Sequence, residues 1–131
     1  MALILVVQDR PPERERLIEL LGAAAYAVIW SEDGHDAVRQ VRERRPAVVI
    51  ADMLVPEMDG LEFARAVRAD PEISKTPIVL CTATYEPREL ERLALAAGVT
   101  RVLVQPVEPK EILRAVAELQ ETELAREDAA S

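Results

Sequence analysis

Five short apolar runs, each followed by a longer stretch of helical spacing, constrain this chain more than any other feature. The runs are Ala2 to Val7, Ala27 to Trp30, Ala47 to Ala51, Pro77 to Cys81 and Arg101 to Val104. They are too short for helices and rich in β-branched residues, so each predicts a strand. Between and after them run apolar stripes: Leu17, Leu20, Leu21 and Ala24; Ala37, Val38 and Val41; Leu61, Ala64 and Val67; Leu90, Leu93, Ala94 and Ala97; Ile112, Leu113, Val116 and Leu119. That spacing belongs to helices packed by one face. Pro11 and Pro12 suit a helix opening, Pro46 and Pro71 follow the second and third helices, and Gly22 and Gly98 stand where helices are expected to stop.

Alternating strand and helix units with short connections favour a parallel sheet covered on both faces. A doubly wound α/β sheet leads, because five units are too few for a closed eight-stranded barrel. The pattern alone leaves the strand order open. Half of the 131 residues are hydrophobic and only 3% are aromatic, so the core must be aliphatic, as in buried parallel strands. The length is one domain's worth. Residues 1–120 are expected to form it, and 121–131, where apolar periodicity is lost, to be a C-terminal extension or the start of a linker.

A formal charge of −8 argues against direct binding of nucleic acid, which depends on Lys and Arg neutralising phosphates. Arg42, Arg44 and Arg45 are interleaved with acids and read as a solvated helix face. The one cysteine, Cys81, cannot form an internal disulfide and lies in an apolar run, so a buried, inert thiol is expected. No apolar stretch approaches a membrane span, and the N-terminus lacks the cationic-then-apolar order of a signal peptide. The expectation is a cytoplasmic chain with no membrane partner.

Ligands of such sheets bind beyond the carboxyl ends of the strands. The residues there are Gln8 and Asp9 after the first strand, Asp52 after the third, Thr82 after the fourth, and Gln105 with Pro106 after the fifth. An ionised Asp52 at the end of a buried strand is costly unless a metal ion or hydrogen bonds compensate it. Asp9 can supply a second carboxylate. Two carboxylates and a backbone carbonyl, completed by water, suit Mg²⁺.

The segments Ile4-Leu-Val-Val-Gln-Asp9, Glu32-Asp-Gly-His-Asp-Ala37, Asp52-Met-Leu-Val-Pro-Glu-Met-Asp-Gly60, Leu80-Cys-Thr-Ala83 and Val104-Gln-Pro106 occur in this order. Together they resemble the successive motifs of two-component response-regulator receiver domains, from about Ala2 to Leu119. The resemblance implies a flavodoxin-like, five-stranded sheet in the order 2-1-3-4-5. It also implies phosphoryl transfer onto Asp52 from a histidine kinase or a histidine phosphotransfer protein, within a signalling switch rather than a turnover enzyme. Asp9, Asp52 and the backbone carbonyl of Leu54 would hold Mg²⁺, Thr82 would donate its hydroxyl to a phosphoryl oxygen, and Asp59 with Gly60 would form the turn into the third helix. A homodimer through the fourth helix, fifth strand and fifth helix would be one possible assembly.

Three positions depart from the family's pattern. Gln8 stands for the first of two adjacent acids, Gln105 for the lysine before the proline, and Val102 for a frequent aromatic. Losing the lysine forfeits a charge-assisted hydrogen bond, worth roughly 1.5–3 kcal/mol against about 1 for a neutral one. The two glutamines cancel in charge, since three acids with one lysine sum to −2, as do Gln8, Asp9, Asp52 and Gln105. Without the aromatic, switching would have to run through Thr82 and residues 83–87; Tyr85 is near enough in sequence to be a substitute, but reads better as a surface tyrosine with no special role. The alternative function is a pseudo-receiver, a protein-interaction module independent of phosphorylation. A small hydrolase is weaker, because the chain has no nucleophile elbow, no Ser-His pair and no phosphate loop among its four glycines. The resemblance also implies a cis peptide before Pro106, in a tight turn that brings residue 105 over the site.

Overall fold

The five apolar runs form β1 (Leu3–Val7), β2 (Ala27–Ser31), β3 (Val48–Asp52), β4 (Ile78–Thr82) and β5 (Arg101–Val104). The helices are α1 (Pro11–Ala23), α2 (Gly34–Arg44), α3 (Gly60–Ala69), α4 (Pro87–Ala97) and α5 (Pro109–Ala130). This computed structural model describes residues 2–83 and 86–130, with side chains to residue 122. Thr84 and Tyr85, including the tyrosine considered as a stand-in for the missing ring, lie outside the described residues. All strand pairs are parallel, in the order β2-β1-β3-β4-β5. The doubly wound architecture and the order implied by the resemblance are both found.

Strand alternation divides the core in two. Leu5, Val7, Val49, Ala51, Ile78 and Leu80 face α2, α3 and α4, where Phe63 is fully buried. Ile4, Val6, Val48, Ile50, Val79 and Cys81 face α1 and α5, meeting Leu21, Ile112, Val116 and Leu119. Every residue of β3 and β4 is buried, as central strands covered on both faces require.

Local chemistry sets the helix ends. Pro11 opens α1, where a missing N–H costs nothing. Asp59 caps α3, its Oδ1 accepting from the N–H groups of Leu61 (3.0 Å) and Glu62 (2.9 Å), while Glu62 reaches back to close a capping box. Asp59 and Gly60 thus make the turn expected of them. Gly60 also allows close approach, since a Cβ there would lie 2.5 Å from Leu80 Cδ1 and 3.2 Å from the carbonyl oxygen of Asp52. Gly98 ends α4 in the left-handed region, as expected. Gly22 does not end α1, however. It lies inside the helix, and the left-handed turn after it is made by Ala25, with φ of 71°.

Among the described residues, no helix is long and apolar enough to cross a membrane. The helix α5 continues to Ala130, through the part of the sequence where apolar periodicity fades.

Candidate functional site

Parallel pairing brings every strand exit to one edge of the sheet. Because β1 and β3 are neighbours, the loop after β1 stands beside the end of β3. The β5–α5 loop comes back toward β4 through a hydrogen bond from the Gln105 N–H to the Thr82 carbonyl (2.7 Å), and the Gln105–Pro106 peptide is cis. Gln8, Arg10, Asp52 and Gln105 line one cleft of about 720 Å³, which continues between the apolar flanks of α1 and α5, at Leu17 and Ile112.

Asp52 is 9% exposed. Burial pushes its carboxyl above the ordinary carboxylate range. The guanidinium of Arg10, the Met53 backbone N–H and the Gln8 side chain pull it back, and the charge of Asp9 raises it further. The net direction is upward, because the compensating groups only partly replace lost water. Arg10 Nη2 stands 3.7 Å from Asp52 Oδ2, beyond the roughly 2.7–2.9 Å of a direct charge-assisted bond.

Gln8 is 4% exposed and anchors the loop after β1 through its amide oxygen. Its Oε1 accepts from the Arg10 backbone N–H at 3.1 Å, and its amide is among the groups that lower the Asp52 carboxyl. A carboxylate at this position could accept from Arg10 but could not donate to Asp52. Arg10 itself is the residue that precedes α1, and no side chain caps that helix start. Asp9 therefore is not its cap, and its charge bears instead on Asp52.

Thr82 and Gln105 hold different relations to the acid. Strand alternation puts Thr82 with Ile78 and Leu80 on the α2–α4 face, opposite Asp52 and Cys81. Its hydroxyl, in a residue 5% exposed, donates to the Ala83 carbonyl at 3.3 Å. Gln105 is exposed at the mouth of the cleft. Val102 packs against the α2–α4 side of the core and pairs with Leu80. Leu54, the expected donor of a carbonyl ligand, lies two residues beyond Asp52 in a loop, its side chain 75% exposed. Cys81 is buried as expected, and burial first, then the charge of Asp52, pushes its thiol up to about 12.

Among the described residues, no three side chains of His, Cys, Asp or Glu gather into a metal cluster. The donor set expected here is two carboxylates, a backbone carbonyl and water. An all-oxygen set fits a hard divalent cation, and the mutual repulsion of Asp9 and Asp52 is what such a cation relieves.

Arg10 is the site residue that sequence reasoning missed. Its position next to Asp9 was visible, but its pairing with Asp52 arises through space, from the adjacency of β1 and β3. With it, the charge of the site is −1 rather than the −2 counted from Gln8, Asp9, Asp52 and Gln105.

Comparison with known proteins gives one consistent result. The sequence profile of the response regulator receiver domain matches residues 4–117. The DNA-binding response regulator MtrA of Mycolicibacterium smegmatis is 36% identical over 113 residues, 86% of this chain and 48% of that protein. Protein PilH of Pseudomonas aeruginosa is 29% identical over 88% of this chain and 95% of its own length. The chain thus spans about half the length of MtrA and nearly all of PilH. Among solved structures, the receiver domain of the sensor histidine kinase PA1611 of Pseudomonas aeruginosa superposes with a TM-score of 0.83 at 27% identity, covering 92% of this chain and 98% of that one. That structure carries a magnesium ion coordinated in its active site cleft.

Proposed function

This chain belongs to the response-regulator receiver family of two-component signalling, and from that premise we propose that Asp52 accepts a phosphoryl group from a phosphohistidine. The observation that carries the reading is the state of Asp52 itself. It is a buried carboxylate at a strand exit, incompletely compensated, facing a cleft that also holds a cation and two amides. A structural acid has no need of that open side.

In the step itself, an Asp52 carboxylate oxygen attacks phosphorus and a P–O bond forms as the donor's P–N bond breaks. The nitrogen keeps the electron pair and leaves as neutral imidazole when the other ring nitrogen already carries a proton. With acetyl phosphate as donor, the leaving group is acetate. The donor proposed is a histidine kinase or a histidine phosphotransfer protein. Asp9, Asp52 and the Leu54 carbonyl would hold Mg²⁺, whose charge, when bound, offsets the repulsion between carboxylates and phosphoryl oxygens. The buried thiol of Cys81 takes no part.

Incubation with acetyl phosphate and Mg²⁺, followed by intact-mass measurement, tests this. The wild type should gain the mass of one phosphoryl group, and Asp52→Asn should gain none. No uptake by the folded wild type from acetyl phosphate, from phosphoramidate or from phosphorylated histidine kinases would instead assign a phosphorylation-independent interaction module, in keeping with the absent lysine at Gln105.

A further inference from the structure

The reading of Asp52 as a phosphoryl acceptor raises a problem of charge. The side chain carries −1 as a carboxylate and approaches −2 as an acyl phosphate, beside the standing charge of Asp9. Gln105, at the mouth of the same cleft, is neutral. Arg10 is the guanidinium within ion-pair distance of Asp52 among the described residues.

Its geometry suits a phosphoryl group carried on Asp52. The 3.7 Å gap to Oδ2 leaves Asp52 incompletely paired, while the half-exposed Arg10 side chain stands on the open side of the cleft. An oxygen added beyond Oδ2 moves negative charge toward the guanidinium, where a fork of N–H donors matches phosphoryl oxygens. Glu13 Oε2, 3.9 Å from Arg10 Nε, steadies the guanidinium from the side of α1. Gln8, buried and lining the same cleft as Asp52, fixes the backbone of Arg10 through Oε1, so the residue that carries the cation is anchored beside the acceptor.

We propose that Arg10, seated by Gln8, is the residue that binds the phosphoryl group on Asp52, supplying from the β1–α1 loop the positive charge that Gln105 does not supply from the β5–α5 loop. The assignment rests on the phosphoacceptor reading. It makes Gln8 and Gln105 parts of one arrangement: the amide at position 8 positions the guanidinium, and the guanidinium makes a cation at position 105 dispensable.

Four proteins test it: wild type, Arg10→Gln, Gln105→Lys, and the double variant. Each is scored for phosphorylated fraction with acetyl phosphate and Mg²⁺, for calorimetric affinity toward beryllofluoride as a phosphoryl mimic, and for affinity toward Mg²⁺ alone. Arg10→Gln should weaken beryllofluoride binding roughly 5- to 30-fold, the worth of one charge-assisted hydrogen bond over a neutral one. It should bind Mg²⁺ at least as tightly as wild type, because a cation has left the vicinity of two carboxylates. Gln105→Lys should restore most of the loss in the Arg10→Gln background and add little to wild type. Unchanged beryllofluoride affinity in Arg10→Gln, an equal gain from Gln105→Lys in both backgrounds, or a loss explained by weaker Mg²⁺ binding would each overturn the assignment of Arg10. A folded wild type that takes neither phosphoryl group nor beryllofluoride overturns the phosphoacceptor reading as well, so the two failures are distinguishable.

Discussion

At the scale of single residues, Asp52 shows how a reactive group is kept ready at a cost in stability. A carboxyl raised above its unfolded value contributes against folding once ionised. The penalty is absent below the unfolded pKa, grows as pH rises through the folded pKa, and is complete above it. Asp52→Asn keeps the shape and removes the charge, so it should stabilise the metal-free protein at neutral pH, on the order of 1 kcal/mol. The difference should shrink as pH falls through the acid range. Thermal melts of both proteins between acid and neutral pH check this. A difference that grows toward low pH would show that Asp52 is stabilised, not strained, in its ionised form.

Gln8 and Arg10 carry a different lesson at this scale. The motif pattern marked Gln8 as a departure and passed over Arg10, because the pattern is read along the chain and their partner lies on another strand. Asp52 was legible, being a polar residue at the end of a buried apolar run. The same holds for Asp9 and Gln105 as strand-exit residues. Thr82 was rightly placed at a strand exit, but strand parity puts it on the sheet face opposite Asp52, with its hydroxyl on the Ala83 carbonyl.

At the scale of elements, helix ends separate what sequence can and cannot tell. Gly98 was legible as a stop, and its φ of 95° shows why only glycine sits there comfortably. A Cβ on Gly98 would also lie 2.5 Å from Arg68 Cγ. Arg68 joins the loops at this end of the sheet, donating to the carbonyls of Gly98 (2.9 Å), Ser74 (3.0 Å) and Thr76 (2.7 Å). Gly22 has none of these constraints: nothing lies within 4 Å of a Cβ built on it, and it is helical. Gly98→Ala should therefore destabilise by about 1–2 kcal/mol or more, whereas Gly22→Ala should stabilise by roughly 0.5–1 kcal/mol. Urea unfolding of both variants checks the pair of signs. The sequence offered two glycines at similar positions, and only backbone geometry tells the stop from the passenger, since Ala25 took the left-handed turn that Gly22 was expected to make.

At the scale of the whole molecule, the architecture follows from a pattern repeated five times, which is why the strands were legible to within a residue and the helices by their apolar stripes, though not by all of their ends. The order of strands was not, because pairing depends on crossovers that leave no local mark; it came from the resemblance of five motifs in sequence. That order has a functional consequence. Placing β1 and β4 on either side of β3 buries the strand that ends in Asp52, and the loops after β1 and β5 line the same cleft as its carboxylate. A substituted cation can thus enter from whichever loop is free to carry it. The edge strand β2 is shielded differently: Trp30, 44% exposed, lies under the guanidinium of Arg14, 4.0 Å from the ring centre, with Glu32 beyond.

The central claim is that Asp52 forms an acyl phosphate, and its chemistry allows the residue to be marked directly. After exposure to acetyl phosphate and Mg²⁺, reduction with borohydride converts an aspartyl phosphate to homoserine with loss of phosphate, leaving ordinary carboxylates untouched. Peptide mass spectrometry then reads the position. The expected result is conversion at Asp52 alone, dependent on both donor and Mg²⁺. Conversion at Asp9 or another acid with Asp52 intact, or no conversion in a protein that remains folded, would contradict it.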